Sequence, residues 1–396
     1  MISFAALQLL QLYSHRNPLL PNLVSIVWNS DDENLPFITS FFSHSLTFIS
    51  IDVISTASRT LPSILTILST MAPDISKIEV QHLVDEPSME EASSQLLMQC
   101  NPHRLRRYAV DAPLSASALS HVIQLPLLEE LWLVDPLHFP DPLPNVVFPS
   151  LQVLDVEFNG DLAWLKLIPE CSVLSTIHVE CLEPDVEQFM EKFQLTTTGC
   201  GMHERLQQFL VRSQDKFKIT PQIIACNLSF KNLTFLQLLS DCSTTCQTLD
   251  LTDDDIDLLT NAMPCLVCLA IGGRPCKVPS KITFNSLYTI SRRCTLLTSL
   301  QIHFNPNSFI TKVNANSGNG GFETPSSVLC SVTKINAGSI ALPRQSEVSN
   351  VMAVGLMGVF PHLKEVEYRD GAWKGVKNQI RFIWRIRTAF CGGLIG

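Results

Sequence analysis

One spacing recurs along this chain and constrains everything else about it: a helix-stop signal, then an apolar triplet spaced L-x-x-L-x-L. The first copies are Leu23-Ile26-Trp28, Leu46-Ile49-Ile51, Ile75-Ile78-Val80, Leu105-Tyr108-Val110, Leu128-Leu131-Leu133, Leu151-Leu154-Val156 and Leu174-Ile177-Val179. After a gap come Leu233-Leu236-Leu238, Cys246-Leu249-Leu251, Leu266-Leu269-Ile271, Leu297-Leu300-Ile302 and Leu363-Val366-Tyr368. A proline two places before the first apolar position recurs at Pro21, Pro73, Pro126, Pro149, Pro264 and Pro361. The first positions of the opening seven copies are 23, 29, 30, 23, 23 and 23 residues apart.

That interval overlaps the roughly 20–29 residues of a leucine-rich repeat. The last two apolar positions of each triplet are two apart, so they point to one face of a short strand. The segments between triplets carry helical spacing, as in residues 117–124 (SALSHVIQ) and 255–261 (DIDLLTN). Each unit therefore reads strand, turn, helix. Alone it cannot bury its apolar face; stacked, it builds a continuous core. The expected fold is α/β: an irregular leucine-rich-repeat solenoid, or horseshoe, with a concave parallel sheet and outer helices.

The interruptions divide the chain. Residues 1–13 (MISFAALQLLQLY) carry no charge, but they lack a basic n-region and a small-x-small cleavage site follows nowhere near, so they read as a core helix. Between 183 and 232 the triplets fail. Val186, Phe189, Met190 and Phe193 fall on a helix face, TTTGCG at 196–201 breaks it, and Leu206, Phe209 and Leu210 suggest a second helix. NANSGNGG at 314–321 reads as a flexible loop. The expected organisation is an N-terminal helix or cap (1–22), regular repeats (23–182), a helical insertion or degenerate repeat (183–232), further repeats (233–305), a flexible loop (306–330), and a last repeat with an amphipathic cap helix (331–396). In that helix Trp373, Val376, Ile380 and Trp384 share one face. Lys374, Lys377, Arg381 and Arg385 repeat the spacing one residue on, as a solvated outer face should. A basic helix of this kind can also meet acidic lipid or calmodulin, but the capping role is the expectation.

Composition narrows the class. Hydrophobic residues make up 46% of the 396 and charged residues 16%, enough apolar content for a large core, which excludes global disorder. The net charge of −9 argues against general nucleic-acid binding. The longest apolar run, VMAVGLMGVF at 351–360, is stopped by Pro361 and falls short of the roughly 18 residues of a membrane span. Thirteen scattered cysteines do not form a disulfide framework, so an intracellular home, cytoplasmic or nuclear, is expected. The sequons at Asn227 and Asn232 then read as chance.

Motifs that carry chemistry fail on inspection. His203-Glu204 starts a zinc-protease helix motif, but the second ligand position is Gln207. The glycines at 318, 320 and 321 lack the surrounding strand–loop–helix pattern and the Lys-Ser/Thr of a phosphate loop. No G-x-S-x-G is present. Cys242, Cys246, Cys265 and Cys268 have zinc-like spacing, yet Cys246 holds a core position and the next two flank buried leucines, where a thiol serves as a small hydrophobe. Asp253, Asp254 and Asp255 after Thr252 fit an N-cap and first helical turn better than a cation loop. No catalytic residue, cofactor or metal is expected, and the chain is not expected to be an enzyme.

The working surface follows from the register. The residue between the last two apolar positions of each triplet points away from the core, which places Trp132, Asp155 and His178 on three successive strands. Their outward neighbours are Glu130, Glu157 and Glu180. Neighbouring strands lie about 4.8 Å apart, so the six form one patch, four of them acidic and none Lys or Arg. An exposed Trp is a common interface anchor. The expected ligand is a basic or aromatic segment of a partner protein.

The stretch at 249–304 (LDLTDDDIDLL through SLQIHF) resembles the leucine-rich half of fungal, basidiomycete-type, F-box proteins. So do PNLVSIVW near the start and FPHLKEVEYRDGAWKGV near the end. The resemblance implies repeats that hold a substrate, and an N-terminal F-box that binds a Skp-type adaptor and, through it, a cullin ubiquitin ligase. About 20 residues precede the first repeat and contain no F-box signature, and Leu61-Pro62-Ser63-Ile64-Leu65 resembles an F-box opening without its acidic residue. The F-box is either missing from this chain or never existed. The expected function is the substrate-recognition part of such a receptor; the alternative is a stand-alone repeat scaffold with no ligase link.

Overall fold

A computed structural model describes residues 18–30, 33–53, 60–82, 87–136, 148–182, 186–213, 217–240, 249–272, 280–305, 330–336, 346–367 and 373–392. The helix expected at 1–13, the loop at 306–329, the glycines at 318–321, Cys242 and Cys246 lie outside them. The chain divides into two compact units, Met1–His178 and Val179–Gly396.

The fold is α/β, and the repeats are built as strands in parallel ladders. In the first unit the strands are β1 (Ser25–Ser30), β2 (Phe48–Val53), β3 (Lys77–His82), β4 (Arg107–Val110), β5 (Glu130–Val134) and β6 (Val153–Phe158). They pair in chain order, all parallel. The triplets line up as rungs: Ile49 faces Ile26 and Ile78, Tyr108 faces Ile78 and Leu131, and Leu154 faces Leu131. These rungs are buried, while the residues alternating with them are half-buried or exposed. Helices α1 (Leu61–Met71), α2 (Pro87–Gln99) and α3 (Ala116–Val122) connect strands and bury Leu65, Leu68, Leu96, Leu97 and Leu119. The segment Leu61–Leu65 that resembles an F-box opening is the first turn of α1, an ordinary connecting helix with Pro62 in its first turn. Tyr108 stands in a rung fully buried, because its hydroxyl donates to the Ser93 carbonyl of α2 at 2.9 Å. The strand β7 (Thr176–Cys181) carries the boundary between the units.

The second unit repeats the scheme with α4 (Val186–Gly199), β8 (Gln208–Ser213), α5 (Pro221–Asn227), β9 (Phe235–Ser240), α6 (Asp253–Ala262), β10 (Cys268–Ile271), α7 (Phe284–Arg293), β11 (Ser299–Ile302), β12 (Lys334–Asn336), α8 (Ser346–Val359), β13 (Glu365–Glu367) and α9 (Trp373–Gly392). Strands β8 to β13 again pair in parallel and in chain order.

Two local readings of the sequence change here, and one holds. Phe209 and Leu210 belong to a strand, not a second helix: Phe209 faces Leu236 and Val211 faces Leu238. Leu206-Phe209-Val211 is one more triplet, with an aromatic in the middle as in β4. The run at 196–201 ends its helix as expected, at Gly199. Thr196 and Thr197 donate their hydroxyls to the carbonyls of Lys192 and Phe193 at 2.9 and 2.8 Å, which satisfies them inside the helix. Gly201, two residues past the helix end, takes a φ of 71° in the left-handed region, where the chain turns away. Finally, Leu249 of the Cys246-Leu249-Leu251 triplet forms only an isolated bridge with Ile219, and the ladder runs from β9 directly to β10.

That isolated bridge is flanked by an ion-pair triad. Asp250 accepts from Lys218 at 2.6 Å and Lys281 at 2.7 Å. Hydrogen bonds from the two ammonium groups, Lys218 first, hold its carboxyl down at about 2. A carboxylate depressed on folding stabilises the fold at pH values above its unfolded pKa and loses that effect as pH falls toward the folded value. We therefore expect wild type to lose stability more steeply than Asp250→Asn between pH 4 and 2. Chemical unfolding across that range checks it, and parallel acid limbs for the two proteins would refute it.

A backbone fork sets the register. The amides of Thr47 and Phe48 both donate to the Val24 carbonyl, at 2.9 and 3.2 Å, and the Thr47 hydroxyl joins them at 3.2 Å. The same fork recurs at Ser76–Lys77 onto Thr47, at Ser175–Thr176 onto Gln152, at Thr234–Phe235 onto Gln207 and at Thr298–Ser299 onto Val267. The hydroxyls of Ser76, Ser175, Thr234 and Thr298 take part each time. The backbone fork also forms where Arg106, Glu129, Gln152, Val267 or Lys364 holds that place, so the two amides pin the strand to the repeat before it and the Ser or Thr adds a third donor in these five copies. The helix-capping expectation at Thr252 also holds: the Asp255 carboxylate accepts from the Thr252 amide at 2.8 Å, completing a capping box.

Candidate functional site

The open face of the first unit's strands carries the residues singled out by the register. Parallel pairing sets Ala109 beside Trp132 and Trp132 beside Asp155. Trp132 is half-buried, with a methyl group on one flank and a carboxylate on the other. The small Ala109 leaves the indole without a long side chain on the β4 side. Asp155 Oδ2 lies 3.5 Å from His178 Nδ1. Glu157 sits two residues beyond Asp155, opposite Val134 on β5. Glu130 stands two residues before Trp132, so the two glutamates lie on opposite sides of the Trp132–Asp155 rung. The first unit therefore brings Glu130, Trp132, Asp155, Glu157 and His178 onto one face. Glu180 belongs to the second unit, where it is half-buried.

The electrostatics differ from a bare acidic patch. Arg107 on β4 reaches two carboxylates, Glu79 Oε1 on β3 at 3.1 Å and Glu130 Oε2 on β5 at 2.7 Å. Its neighbour Arg106 pairs with Glu129. Such partly exposed pairs contribute about 0–1 kcal/mol each, so their main effect is on charge. They offset part of the carboxylate charge on the β3–β5 side, two arginines against three glutamates. The triplet register does not single out Arg107, because the residue between the apolar positions of that copy is Ala109. The signal was present one step earlier: Arg107 precedes Tyr108 as Glu130 precedes Leu131, so the two share a rung.

The open face of the second unit has a different chemistry. Gln237, Ala270, Gln301 and Asn336 follow one another across β9 to β12. Asn336 Nδ2 donates to Gln301 Oε1 at 3.3 Å. His303 is buried beside Gly272, and burial lowers its pKa. Cys268 lies half-buried on this face, with Gln237 Nε2 3.9 Å from its sulfur, while Cys265 is exposed. Other thiols serve the core: burial pushes Cys100, Cys181 and Cys294 up to about 12, which keeps them protonated and unreactive.

No family model matches the chain, and no curated protein matches it either. Among solved structures it is similar to a chain of the "Crystal structure of Rad7 and Elc1 complex in yeast". The identity is 13%, the match covers 93% of this chain and 82% of that one, and the TM-score is 0.46. The α/β architecture described above rests on the strand ladders and not on this likeness. Among the described residues, no helix is long and apolar enough to cross a membrane.

Proposed function

We propose that this chain is a protein-binding leucine-rich-repeat module, and that its partner lays a basic or aromatic segment across the open face of the first unit. The observation that carries this reading is Trp132. It is held half-buried in a rigid strand between Ala109 and Asp155, with its acidic neighbours on the β6 side. A rigid aromatic with a carboxylate beside it suits an arginine or lysine side chain, through the ring face and the charge together. The role is binding without catalysis. The resemblance to fungal F-box proteins supports a finer reading, a substrate-recognition part that reaches a Skp-type adaptor and cullin when an F-box is supplied. The buried thiols fit a reducing intracellular setting, cytoplasmic or nuclear.

A labelled peptide of alternating Arg and Tyr serves as the probe. It should bind saturably, and more weakly as salt rises. Trp132→Ala should weaken it by at least about 30-fold, as an interface anchor does. Charge reversal at Glu130, Asp155 and Glu157 together should lower both the affinity and its salt dependence. Binding untouched by both variants would remove the reading. Co-purification with a Skp-type adaptor separates the ligase reading from a stand-alone scaffold.

A further inference from the structure

The last helix presents a surface that the repeat architecture does not use. Trp373, Val376 and Ile380 of α9 are fully buried. The Trp384 indole N–H donates to the Leu363 carbonyl, and Lys364 Nζ lies 5.4 Å from the centre of its ring. Contact with α8 is close: a Cβ at Gly375 would lie 2.7 Å from Ser349 Oγ. Lys377 is spent on Glu365 at 3.7 Å. The opposite face carries Lys374, Arg381 and Arg385, all exposed, and between the two arginines Phe382, 59% exposed. Neither Lys374 nor Arg381 makes an ion pair with a described residue.

We propose that this outer face docks on an anionic lipid bilayer, with Phe382 entering the interface and Lys374 and Arg381 meeting the headgroups. Two observations favour a bilayer over a protein groove. A partner of the helix-in-groove kind takes the apolar face of its target helix, and here that face is already locked against α8 and β13. What remains exposed is a pair of cations, Lys374 and Arg381, flanked by one aromatic, Phe382, a surface that anionic headgroups attract. Charge also orients the approach. Lys374, Lys377, Arg381, Arg385 and Arg387 carry +5 of a chain whose net charge is −9, so the remainder carries −14. An anionic surface repels that remainder and attracts this helix.

The test uses the full chain and vesicles of phosphatidylcholine with or without phosphatidylserine. The chain should sediment with the serine-containing vesicles at low salt, and release should follow as salt rises. Each cation near an anionic surface is worth about fivefold in partitioning, so Lys374→Gln with Arg381→Gln should weaken it about 25-fold. Phe382→Ser should weaken it with the salt dependence unchanged. All three positions are exposed, and an unaltered thermal unfolding curve confirms that the variants fold. Equal sedimentation of wild type and the double variant would overturn the proposal, as would no sedimentation at low salt. Capture by polyglutamate but not by vesicles would assign the cations to an acidic protein instead, and the bilayer would be wrong.

Discussion

Phe193→Ala is expected to cost the second unit about 3–5 kcal/mol, the usual range for deleting a fully buried aromatic. Phe193 lies on α4 and stacks face to face on Phe209 of β8, with ring centroids 4.7 Å apart and planes 2° from parallel. It also meets Phe189 at 5.5 Å and Phe230 at 5.7 Å. All four rings are fully buried, so truncation opens a cavity that three rigid neighbours cannot close. Here Phe209 takes the middle position of its triplet, and an aromatic cluster stands in for the Leu and Ile of the regular repeats. Urea unfolding followed by circular dichroism measures the cost. The control is Phe382→Ala, whose ring is 59% exposed and which should shift stability by no more than about 0.5 kcal/mol. Equal effects at the two positions would contradict the packing described.

Asp253→Ala is expected to cost about 2–3 kcal/mol, because hydrogen bonds to a charged group contribute about 1.5–3 kcal/mol. Asp253 sits in the first turn of α6, yet it works on the next repeat. Its carboxylate accepts from the Thr283 amide at 2.7 Å and from the hydroxyls of Thr283 and Ser286, both at 2.5 Å. Thr283 is the N-cap of α7, and its hydroxyl accepts from the Asn285 amide at 3.1 Å. Removing the carboxylate leaves that cap without its anchor. At the far end of the same pair, Arg293 pairs with Asp257 at 2.9 Å and donates to its carbonyl at 2.6 Å. Asp253→Asn retains one acceptor oxygen and should fall between wild type and Ala in thermal unfolding. If Asn and Ala are equally destabilised, the charge matters and the acceptor geometry does not. If neither is, the bonds contribute nothing.

The triplets determined the strands almost by themselves. Two apolar positions two apart admit one short strand with a buried face, and that face demands a neighbour of the same kind. Hence Ile49, Ile78 and Tyr108 could be assigned to adjoining rungs without coordinates, and so could the orientation of Trp132 and Asp155. The helix positions of Val186, Phe189 and Phe193 and the cap at Thr252 were equally local, because both depend on residues within one or two turns.

What the sequence left open was decided across repeats. Leu206, Phe209 and Leu210 fit a helix as well as Leu206, Phe209 and Val211 fit a strand, and only the ladder to β9 selects the strand. Leu249 and Leu251 have the spacing of a rung, but the pairing of β9 with β10 leaves them outside it. The charge on the open face was likewise misread from single strands. Arg107 pairs with both Glu79 and Glu130 only because three separate repeats place those side chains within one guanidinium's reach. Spacing along a chain fixes which face a side chain takes. Which partners it meets there depends on strand register, and register is set by hydrogen bonds between residues more than twenty positions apart.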